Sequence, residues 1–292
     1  MNGVIIIDKP RGKTSHDMVS CIRRLYNTRK VGHTGTLDPE ATGVLPICIG
    51  NATKACELLT NARKEYTAQL VLGMTTDTLD AEGEVLTEQP VNVTEEQIKK
   101  VISEFIGEIY QIPPMYSAIK QNGKKLYELA RQGISVEREK RKITIFNIDI
   151  LDIDTENETV TIHVVCSKGT YIRTLCEDIG MKLGCGAYMN TLRRTASGQF
   201  SIDDAYTIEQ LESISDTETL EKILIPTDSL FFMYEKITVN ERQKNFILNG
   251  VRVRYRGLCE NRIYRVYDEQ DNFLCISQCV EERLTIIKFF KS

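Results

Sequence analysis

The sequence predicts an α+β protein, a large mixed α/β domain followed by a small β-rich one. Three observations predict it. Apolar runs and alternating runs recur between helical patterns, as in GVIIID (3–8), KEYTAQLVLGM (64–74) and ETVTIHVVCS (158–167). The texture changes after Asp228, where short β-rich pieces follow one another with small turns between them. The length of 292 residues gives room for one large domain or two, with ample material for a core.

Taken in order, GVIIID reads as a short buried strand closed by Lys9-Pro10. Thr14 or Ser15 can cap a helix to about Tyr26, with Met18, Val19, Ile22 and Leu25 on one face. Residues 27–43 are rich in Gly and Thr and read as a loop. GVLPICIG is a strand, NATKACELL a short helix, and 64–74 an alternating strand. Thr94-Glu-Glu-Gln97 is a capping box opening a helix to about Phe105. Residues 142–151 and 158–167 read as neighbouring strands joined at DIDTEN. Residues 171–184 read as a helix ending in Gly, and LRRTASGQFSI returns to strand. ITVNERQKNFILNG, VRVRYRG, RIYRVYD and LTIIKFF make up the β-rich end. The boundary falls near 232–236, giving domains of 1–232 and 236–292.

With 41% hydrophobic and 27% charged residues, the composition excludes collagen-like, coiled-coil and wholly disordered chains. No apolar run approaches the roughly 18–20 residues of a membrane helix, and no signal peptide is visible, so a cytoplasmic location is expected. The nine cysteines form no CxxC pair and sit mainly in apolar stretches. Buried free thiols fit them better than a metal site, and no metal is expected. The net charge of −4 hides segregation. Residues 1–64 carry ten Lys and Arg against five Asp and Glu, and 120–142 carry eight against three. Residues 236–292 carry eleven against seven, whereas 201–222 hold seven acidic residues and one Lys. Charge runs are usually solvated faces, but three basic segments in an acidic chain also suit a polyanion-binding surface.

The most informative stretch is VGHTGTLDPEATGVL (31–45). Gly32 and Gly35 allow tight turns and close approach of backbone to a ligand. Asp38 before Pro39 is biased to extended backbone, which fixes a carboxylate as a nucleophile or general base requires. The same residues also read structurally, with Asp38 as an N-cap, Pro39 as the first helical residue and Glu40 favouring the dipole. Neither GxxxxGK[ST] nor GxGxxG occurs here. Lys64-x-Tyr66 begins a strand, where the tyrosine can stack on a base or merely pack. SKGTYIR (167–173) puts Arg173 on the first turn of a helix, against the dipole. A buried carboxylate or a phosphate would explain that, as would a plain surface position. His33 suits either a ligand contact or a turn, and Leu192-Arg193-Arg194 offers an apolar anchor and two charges.

These blocks occur together and in order: KPxGxTS (9–15), GHTGxLDPxAxGxL (32–45), KxY (64–66), SKGTYIR (167–173) and LRR (192–194). In that combination the chain closely resembles the bacterial tRNA pseudouridine-55 synthase family. The resemblance spans roughly residues 1–200 and favours the catalytic reading of Asp38. It implies a mixed α/β catalytic domain around a long bent antiparallel sheet, with a small β-rich PUA-like C-terminal domain for RNA contacts. By position, Asp38 matches the catalytic aspartate, Tyr66 the tyrosine that stacks on the target uracil, and Arg173 the arginine paired with the aspartate. Leu192 matches an apolar pocket residue, and His33 a histidine that contacts the T loop. Lys9 and Pro10 match a motif under the active-site floor, Lys64 belongs to the substrate-binding set, and 120–142 matches an insertion that clamps the RNA stem-loop.

The implied isomerase breaks a C–N bond, turns the uracil and makes a C–C bond. Nothing is oxidised and no group is imported, so no cofactor is expected. Flipping the base out costs a few kcal/mol, and stacking on Tyr66 would return about 1–3 kcal/mol. Attack at C1′, addition to C6 and a glycal route all start from the same carboxylate. Arg173 is expected to lower the Asp38 pKa and fix its rotamer. The expected partner is the T-arm stem-loop of tRNA, with no guide RNA and no membrane, and a monomeric enzyme. A related synthase acting on another RNA, with or without a guide, and a tRNA-folding chaperone are the competing readings.

Overall fold

The computed structural model describes residues 1–60, 62–121 and 123–290. The chain opens with β1 (Gly3–Lys9) and α1 (Ser15–Leu25). Thr14 is the cap: its hydroxyl accepts from the Asp17 N–H at 3.1 Å, and its own N–H donates to the Asp17 carboxylate at 2.8 Å. The expected loop at 27–43 contains a short strand, β2 (Val31–His33), before β3 (Thr42–Ile49). A 3₁₀ turn (Gly50–Ala55) then runs into α2 (Cys56–Thr60). Next come β4 (Lys64–Leu72) and the hairpin of β5 (Met74–Thr76) and β6 (Val85–Glu88). The expected box opens α3 (Glu95–Ser103), with Thr94 and Gln97 bonded reciprocally, and β7 (Gly107–Gln111) follows.

Residues 120–142 fold into a small hairpin, β8 (Lys120–Gln121) and β9 (Lys124–Lys125), then α4 (Leu126–Ala130), and lead into β10 (Arg141–Asp154). β11 (Thr159–Cys166) pairs antiparallel with β10, as the sequence predicts. α5 (Ile172–Leu183) ends at Gly184, whose φ of 84° is the left-handed cap conformation glycine adopts most readily. After it come β12 (Ala187–Ser197), β13 (Phe200–Ser201) and two short helices, α6 (Ile208–Glu212) and α7 (Thr217–Lys222).

Among the described residues, nine strands form one sheet along the path β1-β3-β12-β4-β11-β10-β7, with β2 on β3 and β13 on β12. The pairings are antiparallel except for a short parallel contact of β12 with β3 at Arg193–Thr42 and Arg194–Gly43. β4 alternates buried and half-buried along its length, so one face meets a core. β1 and β3 are buried on both faces, which is why their sequences are continuous apolar runs. Ile5, Ile7, Leu45 and Ile47 join the core with α1 and α5, while Val4, Ile6, Val44 and Cys48 face a second cluster.

That second cluster includes Phe231, Ile276 and Phe290, so the C-terminal sheet packs directly against the large one. The small sheet begins at β14 (Glu235–Thr238). α8 (Glu241–Leu248) and β15 (Val253–Arg254) follow, then β16 (Ile263–Tyr267), β17 (Phe273–Val280) and β18 (Arg283–Phe289). Its order is β14-β16-β17-β18-β15. The reading of 237–250 as a β-rich piece is corrected over 241–248. Asn240 caps a helix there by accepting the Gln243 N–H at 2.9 Å, and Gln243 accepts the Asn240 N–H in return. All nine cysteines are free; most are buried, and Cys259 is exposed.

Candidate active site

Asp38 follows the short strand β2 in an irregular loop, and no helix starts there, so the capping alternative for this residue is not the observed one. The N-terminal segment braces the loop on both sides of the carboxylate. Before it, the buried Ser15 hydroxyl accepts the Leu37 N–H at 2.8 Å and donates to the Leu37 carbonyl at 3.1 Å. After it, the Pro39 carbonyl accepts from Lys9 Nζ at 2.9 Å and from the Gly12 N–H at 3.0 Å. Lys9 Nζ also donates to the carbonyls of Pro10 and Lys13, at 2.9 and 2.6 Å. Burial lowers the Lys9 amine to about 8. The run KPxGxTS thus works as scaffolding for a carboxylate more than twenty residues away.

Arg173 reaches the same point from α5. The start of that helix is fixed by Gln111, whose side-chain amide accepts the Tyr171 N–H at 3.1 Å and donates to the Tyr171 carbonyl at 3.2 Å. The guanidinium is 5% exposed and meets four acceptors. It pairs with Asp38 at 3.0 Å and Asp80 at 3.3 Å, and donates to the carbonyls of Tyr116 at 2.8 Å and Thr78 at 3.2 Å. This resolves the question raised by a cation on a first helical turn: two carboxylates oppose the helix dipole.

A cavity of about 280 Å³ opens beside the pair. Asp38, Tyr66, Arg173, Leu192 and Lys64 all line it, together with Tyr171, Ser167 and Arg194. Tyr66 lies on β4 with its ring largely buried, directly across from Arg194 on β12, while Leu192 stands opposite Ala68. Lys64 Nζ donates to the carbonyls of Thr60 and Ala62 at 2.6 and 2.7 Å, and burial lowers it to about 8. The cavity wall at Ser117 and Ala118 runs straight into the basic hairpin β8–β9. Lys9, Pro10 and His33 do not line this cavity. Lys9 lies beneath the Asp38 loop, Pro10 is exposed at the turn beside it, and His33 is half-buried on β2, where Nδ1 accepts the Gly35 N–H at 3.3 Å.

Electrostatically the carboxylate departs from expectation. Desolvation in the cleft raises the Asp38 pKa above its ordinary value; the Arg173 charge pulls it down but does not prevail, and Asp80 adds to the rise. Burial likewise raises the Tyr66 phenol. The geometry can present a carboxylate held by a guanidinium, with an aromatic ring and an aliphatic side chain as walls. That suits attack on a flat, uncharged ring inserted between Tyr66 and Leu192. Among the described residues, no three His, Cys, Asp or Glu side chains gather closely enough to hold a metal ion.

Two residues of this site carried no signal of their own in the sequence. Asp80 lies in the β5–β6 connection, and its role comes only from its approach to Arg173 across 93 residues. Arg194 is one of the two charges in LRR, and its position in the cavity floor follows from the parallel contact of β12 with β3.

Comparisons with known proteins bear on the same region. The model for the TruB family pseudouridylate synthase N-terminal domain matches residues 23–172, and that for the tRNA pseudouridylate synthase B C-terminal domain matches 173–231. The tRNA pseudouridine synthase B of Alkaliphilus oremlandii is 52% identical over 253 residues, 87% of this chain and 83% of that protein. That of Clostridium tetani is 47% identical over 293 residues, covering 99% of each chain. Among solved structures, a Cbf5–Nop10–Gar1 complex matches with a TM-score of 0.72 and 28% identity, over 99% of this chain and 85% of the other. An H/ACA RNP bound to a substrate RNA containing 2′-deoxyuridine matches with a TM-score of 0.72 and 26% identity, over the same shares of the two chains.

Proposed function

Since the chain belongs to the TruB family of pseudouridylate synthases and forms pseudouridine in tRNA, we propose that its target is uridine-55 of the T loop and Asp38 its nucleophile. The observation that carries this reading is the meeting of Asp38, Tyr66 and Arg173, from three distant parts of the chain, around one cavity. The uridine leaves the loop stack and enters between Tyr66 and Leu192. Arg173 holds the Asp38 carboxylate toward it, and the uracil detaches, turns and rejoins through C5, which gives up its hydrogen. Residues 1–232 are the catalytic unit, with 120–142 clamping the stem-loop, and 236–292 are the PUA-like RNA-binding unit. The enzyme acts in the cytoplasm as a monomer.

No guide RNA is needed in this reading. The identity of 47–52% to chains named tRNA pseudouridine synthase B, against 26–28% to the Cbf5 and H/ACA structures, favours it. Incubating an unmodified tRNA transcript with the protein alone and mapping pseudouridine tests it. Modification at position 55 is expected; modification elsewhere, or only with an added guide, would contradict the assignment.

Three further expectations follow from the geometry. Because Asp38 must be ionised to attack and its pKa is raised, single-turnover tritium release should fall with acidification on a limb above 3.8, the ordinary value for an Asp. A limb below that value would contradict the desolvated carboxylate. Ser15→Ala removes both hydrogen bonds to Leu37 and should slow chemistry about tenfold at saturating tRNA, with affinity unchanged. A loss confined to affinity would mean that the brace does not act on Asp38. If the basic hairpin and the C-terminal cations contact phosphates, tRNA affinity should drop about 10³-fold or more between 50 and 200 mM salt. Filter binding across that range reads the slope, and a flat response would refute the contact.

A further inference from the structure

The floor of the cavity contains a charged side chain that the reaction as described does not use. Arg194 is 1% exposed and has the largest side chain among those fully buried in the described residues. Its hydrogen bonds run to neutral oxygens: Nε donates to the Val44 carbonyl at 2.6 Å and Nη2 to the Gly35 carbonyl at 3.1 Å. Those two carbonyls lie on either side of Asp38 in the chain, Gly35 in its loop and Val44 in β3. Across the sheet, Arg194 is the register partner of Tyr66, and both residues line the cavity. Gly43 makes the arrangement possible. A Cβ there would lie 2.2 Å from the Arg194 carbonyl oxygen, and the φ of +101° is one that side chains rarely allow.

We propose that Arg194 is a positioning residue for the reaction, tying the chain on either side of Asp38, at Gly35 and Val44, to the strand position that pairs with Tyr66. A guanidinium suits this task better than an ammonium, because its donors leave a rigid fork in fixed directions and serve several acceptors at once. Arg173 sets where the Asp38 carboxylate points, and Arg194 sets where the loop and the stacking ring stand relative to each other. A shift of about 1 Å between reacting groups is enough to cost about 10²-fold in rate. The inference rests on Asp38 and Tyr66 being the reacting pair.

The test compares wild type, Arg194→Gln and Arg194→Lys. It reads single-turnover tritium release at saturating tRNA and, separately, tRNA affinity. Arg194→Gln should lose about 10²-fold in rate while its affinity stays within about threefold, because the side chain is buried beneath the cavity. Wild-type rate in Arg194→Gln, or a loss confined to affinity, would overturn the proposal. If Arg194→Gln does not fold, Arg194→Lys carries the test: it keeps the charge and should still lose about tenfold in rate, and a wild-type rate there would overturn it. Asp38→Asn run alongside keeps the two readings apart. An active Asp38→Asn sinks the site assignment, whereas an inactive one beside a fully active Arg194→Gln sinks only this inference.

Discussion

Asp38→Asn is expected to abolish isomerisation, with a loss of about 10⁴-fold or more, while tRNA affinity changes by no more than a few-fold. The amide is nearly isosteric, so the loop braced by Ser15, Lys9 and Gly12 keeps its shape. What is lost is the negative oxygen that attacks, and no neighbouring group replaces it. Asp80 is the other carboxylate nearby, but it sits behind Arg173, receives the Thr78 hydroxyl at 2.5 Å and does not line the cavity. Filter binding and single-turnover release on the same preparation separate the two effects. A variant that binds poorly would place Asp38 in RNA recognition instead.

Arg173→Met should have the second-largest effect, a rate loss of about 10³-fold together with a measurable loss of stability. It leaves Asp38 and Asp80 without their shared cation and strips the donor from the carbonyls of Thr78 and Tyr116. Breaking a buried ion pair costs about 3–5 kcal/mol. Asp38 is 44% exposed, so solvent screens part of the penalty and about 2–3 kcal/mol is the better expectation. Denaturant unfolding gives the stability change and single-turnover kinetics the rate. Arg173→Lys should recover little of either, because one ammonium cannot meet four acceptors spread around a plane. Full activity in Arg173→Lys would show that charge alone suffices.

Short blocks made the residues that share the cavity legible in the sequence. Asp38, Tyr66, Arg173 and Leu192 lie far apart in the chain yet line one cavity, and each sits in a stretch with distinctive neighbours. The caps at Thr14 and Thr94 are local hydrogen-bond patterns, legible from residue type and spacing. The same logic applied at Asn240-x-x-Gln243, where α8 was read as strand because the surrounding segments are β-rich.

What stayed hidden depends on tertiary approach. Asp80 has no local mark, since its partner is 93 residues away. Arg194 read only as one of two charges beside an apolar anchor; the parallel contact of β12 with β3, permitted by Gly43, buries it. The direction of the Asp38 pKa was also beyond the sequence. An arginine partner argues for lowering, and the desolvation that outweighs it comes from residues brought together only by the fold.

In this reading Asp38 drives isomerisation of a flipped-out T-loop uridine without a guide. Single-turnover tritium release from a T-arm stem-loop carrying 5-tritiated uridine only at position 55 tests it most directly, because C5 loses its hydrogen only on becoming the new glycosidic carbon. Release approaching one tritium per RNA is expected with wild type alone, and none with Asp38→Asn. Release by Asp38→Asn, or none from a folded wild type that binds the stem-loop, would contradict it.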